Sequence, residues 1–410
     1  MARFLLLACL FLFLLPGCWN KIELEEQAHV IVIGLDLSSK DHLVDVTFQI
    51  ANPQVATTQR GEVQNEPPTD IITLTAPDIT MAKDMATDIV PRRLNFSHLQ
   101  VVIASEALAK TEMFHRIIAA ATGDPEMRRE TQLIITKEKA SEFIHTNKPK
   151  LETRPHKYYS FMQGRWKESG KAPFSTLNRY YERMRGETFM AIYATTKRDA
   201  EFKENEDDYI AGQVPQKSGD PVQVLGTALM IKGKLVGILT GEETRLALLL
   251  RNKQWADSMI FSVDDPLHKN YRIGLRLLKF EATKVNVDVK QNPPKVHVTV
   301  PLKAQVISIP SLTDYVLNLE NQTILKRSIN EILSKRAEEL IRRCQRELKA
   351  EPFIWNHAVR AKFWTWNQYD QYDWENKFLD AEVKVSFDVE VESFGKQYAP
   401  LNFEYAEKDE

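Results

Sequence analysis

The sequence predicts an α+β fold: a multidomain, mixed α/β chain with largely antiparallel sheets and a long helix in the C-terminal half. Three observations carry this. Residues 43–51 and 381–392 alternate apolar with polar side chains, as strands buried on one face do. Residues 323–348 instead set Leu325, Ile329, Ile332, Leu333, Ala337, Leu340, Ile341, Cys344 and Leu348 at helical spacing, with charge on the opposite face. Between the halves, residues 197–221 are charged and aperiodic, which makes them the best linker in the chain.

At about 150 residues per domain, a chain of 410 residues holds two or three domains. The expected divisions are a leader at 1–17, an α/β domain at 18–196, the linker at 197–221, and an α+β domain at 222–400 that is either one unit or two. With 54 basic and 56 acidic residues the net charge is −2, so no global field attracts a polyanion. That excludes a dedicated nucleic-acid binder. Fifteen glycines leave few loops that could cradle phosphates.

The first residues point to a compartment. Met1-Ala2-Arg3 is a short positive start, and residues 4–15 are uninterruptedly apolar. A span needs roughly 20 residues, so this run fits the apolar region of a secretory signal instead. It ends in Leu15-Pro16-Gly17-Cys18, an aliphatic residue, a small residue at the cut and then cysteine, which is the lipobox pattern of a bacterial lipoprotein. The Cys18 thiol is then the expected lipidation site, and acyl chains hold a membrane by about 0.8 kcal/mol per buried CH₂. The mature chain is expected to be anchored on the extracytoplasmic side. Cys9 leaves with the leader and Cys18 carries lipid, so Cys344 is left alone and no disulfide is expected.

The elements follow in order. Residues 29–37 and 43–51 read as a hairpin, 52–69 as an exposed loop with three prolines, and 70–75 as a third strand. Asp78 is a candidate N-cap for a helix at 79–89. A strand at 99–104, short helices at 106–109 and 112–121, a turn at Gly123-Asp124-Pro125, a strand at 132–136 and a helix at 140–146 come next. Residues 147–172 are basic, aromatic and punctuated by proline; a helix at 175–184 and a strand at 189–194 follow. In the second half, strands at 222–231 and 235–239 form a hairpin around Lys232-Gly233-Lys234, and 245–251 is helical and apolar. Strands at 258–263, 271–280, 282–289 and 295–308 precede the long helix and the last strand.

Chemical signatures are missing. The chain has no Gly-x-x-x-x-Gly-Lys-Ser/Thr, Gly-x-Gly-x-x-Gly, Gly-x-Ser-x-Gly or His-Glu-x-x-His motif, and none of its 9 histidines has a second ligand at metal spacing. No catalytic residue, cofactor or metal is expected. Cys344 lies on the apolar stripe of its helix and reads as a small buried hydrophobe. His98 reads as a structural histidine. Phe353, Trp355, Phe363, Trp364, Trp366, Tyr369, Tyr372, Trp374 and Phe378 form an aromatic concentration that either packs over the long helix or presents an interface. The acidic run 201–208 reads as solvated linker.

Several stretches together resemble the Ger(x)C spore-germination lipoproteins. They are Gly17-Cys18-Trp19-Asn20 with Glu23, Val32-Ile33-Gly34-Leu35-Asp36, Phe96-Ser97-His98 with Glu106-Ala107-Leu108-Ala109, and Asp124-Pro125-Glu126-Met127-Arg128. In the second half they are Gly226-Thr227-Ala228, Lys234-Leu235-Val236-Gly237 and Glu242-Glu243-Thr244. Asn20 stands where Asp is commoner, and the aromatic stretch is richer than that pattern. The resemblance implies a non-enzymatic, lipid-anchored subunit of a nutrient germinant receptor on the outer face of the spore inner membrane. Its partners would be two integral-membrane subunits, A and B. Only Cys18 carries over as a functional position. The alternative is an extracytoplasmic solute-binding lipoprotein serving a membrane transporter.

Overall fold

The computed structural model describes residues 23, 26–51, 69–184, 186–203, 208–252 and 258–395. Cys18, the leader and most of the loop expected at 52–69 lie outside the described residues. No helix among those described is long and apolar enough to cross a membrane.

The first layer is a nine-stranded mixed sheet. β1 (Gln27–Leu37), β2 (Val44–Ala51) and β3 (Thr69–Ala76) make the expected antiparallel meander. On its other side β1 runs parallel to a short β4 (Arg93–Asn95) and to β5 (Val101–Ser105), and β6 (Gln132–Thr136) and β7 (Phe189–Thr195) continue the parallel order. These central strands are buried on both faces, which is why they read as continuous apolar runs and not as alternating ones. α1 (Ile79–Met85), α2 (Glu106–Ala109), α3 (Glu112–Ala120) and α6 (Leu177–Arg183) share one core with this sheet. α4 (Ala140–Thr146) and α5 (Pro155–Ser169) fill the opposite face through Phe143, Ile144, Tyr159 and Trp166.

α5 has no counterpart in the predicted elements, because its 15 residues mix charges and aromatics with little amphipathic pattern. Its boundaries were nonetheless signalled: Pro155 occupies the first helical turn, and Gly170 at φ 66° ends the helix in the left-handed conformation.

β8 (Gln223–Ile231) and β9 (Lys234–Leu239) form the expected hairpin, but it completes the first sheet, with β8 antiparallel to β7. Sheet hydrogen bonding therefore runs across the segment expected as a linker. That segment is also partly packed: Tyr209 and Ala211 are buried in the first core. Charge hid these few apolar anchors.

The second layer is a five-stranded sheet of β10 (Met259–Asp264), β11 (Arg272–Leu278), β12 (Lys284–Asp288), β13 (Lys295–Ser308) and β14 (Glu382–Ser393). All its pairings are antiparallel except β13 with β14. The crossover between those two carries the long α8 (Leu319–Arg343), which continues through a π-helical turn at Cys344–Leu348 and packs on β14. Three short helices, α9 (Asn356–Arg360), α10 (Trp366–Tyr372) and α11 (Trp374–Asp380), follow it.

Between the layers lies α7 (Gly241–Leu250), buried along nearly its whole length. Met190, Leu229 and Leu239 of the first sheet share a core with α7, the second sheet and α8. The two halves thus meet through a common apolar core.

Candidate functional site

The stretches that carry the family resemblance build the scaffold. Asp36 is buried and its carboxylate accepts the Ala140 and Ser141 amides at 2.7 and 2.9 Å, capping α4 from a distant strand. Gly34 lets α4 lie close: a Cβ there would sit 2.7 Å from Ile144 Cδ1. Lys83 Nζ reaches Glu126 at 2.8 Å and Asp124 at 3.3 Å and stands over the Phe96 ring, while Glu126 also accepts the Phe96 amide at 2.9 Å. The Asp-Pro-Glu turn and the Phe-Ser-His stretch are therefore one contact.

His98 stands edge-on to His29 with ring centroids 4.5 Å apart. Burial, then the charge of His98, hold the His29 imidazole below its ordinary value. Cys344 is fully buried, and burial pushes its thiol well up, the opposite of what a reactive cysteine needs.

α7 is tied at both ends. At its start Thr240 and Glu243 form a reciprocal capping box, and Glu242 and Glu243 pair with Arg336 and Arg343 of α8. At its C-terminal end Lys279 Nζ donates to the Leu249 and Arg251 carbonyls, Thr283 Oγ1 to Leu249 at 2.7 Å, and Trp355 Nε1 to Leu250 at 3.1 Å. The orphan carbonyls of a buried helix end are thereby satisfied.

The aromatic concentration divides in two. Phe353, Trp355, Trp374 and Phe378 are core, with Phe353 and Trp355 stacked at 4.6 Å. Trp364 and Trp366 are 95% and 63% exposed, set beside the capping box of Thr365 and Gln368, with Arg360 over the Trp366 ring. The packing reading holds for the first four, and Trp364 and Trp366 are left exposed. The acidic run falls partly outside the described residues.

Where the two halves meet beyond the end of α7, a cavity of about 370 Å³ opens. Arg179 and Arg183 come from α6, Arg251 from the residue after α7, and Val285, Trp355 and His357 from the second half. Arg183 pairs with Glu187 and Arg179 with Glu182. Arg251 is only 8% exposed; its Nε donates to the Pro352 carbonyl at 2.9 Å, one terminal nitrogen meets the Met190 sulphur, and it makes no ion pair among the described residues. Burial, then Arg183, bring its guanidinium down to about 9. Burial and Arg251 bring neighbouring Lys279 down to about 8. Glu351 is pushed up to about 7 by burial, against the lowering effect of the Trp355 and Phe353 amides and of Arg183 and Arg251. Asn356 Nδ2 to Glu187 at 2.7 Å and the Glu351 amide to Thr188 Oγ1 at 3.0 Å tie the cavity rim across the halves.

Apart from Trp355, sequence reading missed these residues because they come from four separate stretches. Two signals were present: Arg179 and Arg183 stand four apart on one helix, and Arg251 directly follows an apolar run.

Two family models match the chain. Residues 20–196 match the spore germination protein N-terminal domain, and residues 225–395 match the spore germination B3/GerAC like, C-terminal domain. The second match begins inside β8, a strand of the first sheet. Spore germination protein KC of Bacillus subtilis (strain 168) is 33% identical over 149 residues, spanning 35% of this chain and 36% of that protein. The putative spore germination protein YfkR of the same organism is 21% identical over 414 residues, 97% of each chain. A crystal structure of the GerBC protein shares the fold at a TM-score of 0.51 and 16% identity, over 87% of this chain and 96% of that one.

Proposed function

The chain belongs to the family of GerAC-like spore germination proteins, and on that premise we propose that it is a non-enzymatic, lipid-anchored subunit of a nutrient germinant receptor. In this reading Cys18 carries the lipid, the folded body lies on the outer face of the spore inner membrane, and integral-membrane A and B subunits are its partners. The observation that carries it is the match of both halves to spore germination domains, joined to a lipobox at the head of the same chain. An anchor confines the body to a surface, so weak contacts assemble at high effective concentration.

The test is Cys18→Ala. The variant should leave the membrane fraction and slow nutrient-triggered germination; normal germination from an unacylated, released chain would overturn the proposal. Purification of the intact lipoprotein from detergent-solubilised inner spore membrane should recover two integral-membrane subunits. The alternative, a solute-binding lipoprotein, draws on the cavity between the halves, and recovery of an ATP-driven permease would favour it.

A further inference from the structure

The cavity between the halves combines features that scaffold packing does not use. Arg251 lines it, nine-tenths buried, with its Nε and one terminal nitrogen engaged and no hydrogen bond from the other among the described residues. A guanidinium held away from water is costly unless its charge and donors are met. Among the described residues no carboxylate forms an ion pair with Arg251, and Glu351 acts on it only electrostatically. Arg179, Arg183 and Arg251 line the cavity with no carboxylate among the described lining residues, and Lys279, Glu182, Glu187 and Glu351 lie near them. Glu182 and Glu187 pair with Arg179 and Arg183 on the α6 side. Glu351 turns one oxygen to the Trp355 amide at 3.2 Å.

The cavity wall itself is thus cationic and suits an anion. A dianion would meet the nearby Glu182 and Glu187 as well as the arginines. The rest of the wall combines apolar Val285, Ile354, Trp355 and Ala358 with Asn252 and His357. The volume falls in the range of small-molecule pockets.

We propose that this cavity binds a small monocarboxylate with an apolar body, its carboxylate set against the unengaged terminal nitrogen of Arg251 and beside the Arg179 guanidinium, and its apolar part against Val285 and Trp355. Planar carboxylates match the fork geometry of arginine, and charge-assisted pairs in a site shielded from water are the strong ones. The ligand would bridge the halves, since Arg179 belongs to the first and Trp355 to the second. The inference goes beyond the receptor reading and does not depend on it, because it concerns the purified chain alone.

The experiment is titration calorimetry on the intact chain in detergent with benzoate, its neutral isostere benzamide, and inorganic phosphate. Benzoate should bind at least about tenfold more tightly than benzamide or phosphate. Arg179→Gln, at the more open side of the cavity, should weaken benzoate severalfold while leaving the circular dichroism spectrum and benzamide binding unchanged. Arg251→Met should abolish benzoate binding if it folds; if it does not, Arg179→Gln carries the test. Equal affinity for benzoate and benzamide, no benzoate binding up to about 10 mM, or a preference for phosphate would each overturn the proposal.

Discussion

The Asp36 carboxylate accepts the Ala140 amide at 2.7 Å across 104 positions of sequence. One residue thus ends the inward run of the central strand and starts the helix that covers it. Asp36→Ala removes the acceptor of two helix-start amides, one of them buried, and should cost about 1–3 kcal/mol. The readout is the midpoint of chemical denaturation. Asp36→Asn keeps one acceptor and should recover part of the loss; equal midpoints for wild type and Asp36→Ala would sink the capping role.

Gly34 makes the complementary prediction. A Cβ there meets Ile144 Cδ1 at 2.7 Å, Thr47 Cβ at 3.2 Å and Ala140 Cβ at 3.3 Å. Gly34→Val should destabilise by about 1–3 kcal/mol through overpacking. Because Ile144 is the nearest obstacle, adding Ile144→Val should give a double variant less unstable than the sum of the singles. Strict additivity in a double-mutant cycle would show that α4 does not rest on this glycine.

Glu351 predicts a pH dependence. Its folded-state value of about 7 lies above the ordinary 4.5, so the native chain holds the proton where the unfolded chain has lost it. Its stabilising contribution is complete below about pH 4.5 and is lost as pH rises through about 7. Glu351→Gln mimics the protonated form at every pH. The melting temperature of wild type should therefore fall relative to Glu351→Gln across that window, and parallel curves would show that the carboxyl is not buried as described.

The exposed and buried tryptophans should separate binding from folding. Trp364 and Trp366 are 95% and 63% exposed, so Trp364→Ala with Trp366→Ala should move stability by no more than about 0.5 kcal/mol per site. Trp355 is 1% exposed and caps α7, so Trp355→Ala should cost about 3–5 kcal/mol. If the exposed pair forms a partner surface, the double variant should lose co-purifying membrane subunits while melting as wild type. Retention of those subunits would place the interface elsewhere.

Local pattern made most elements legible. Strands β6 and β13 and helices α2 and α4 fall on the residues their periodicity predicts. The long helix was equally plain, since its stripe repeats over seven turns' worth of chain and only a helix buries it. α5 was not, because its buried Tyr159 and Trp166 are two aromatics among many charges. The short helices α9 to α11 were masked in the same way by the density of aromatics, which carried no single period.

The amino-acid sequence by itself determined the fold class, the run of most strands, the long amphipathic helix and the stretches that identify the family, because each is written in residues close together along the chain. Only the tertiary structure decided that β8 and β9 complete the first sheet, that Asp36 caps a helix 104 positions away, and that Arg179, Arg183 and Arg251 share one cavity. The physical reason is the range of the interactions. Hydrophobic periodicity acts within one element, whereas sheet pairing, distant caps and buried charge clusters are made between elements and leave no spacing for a sequence to display.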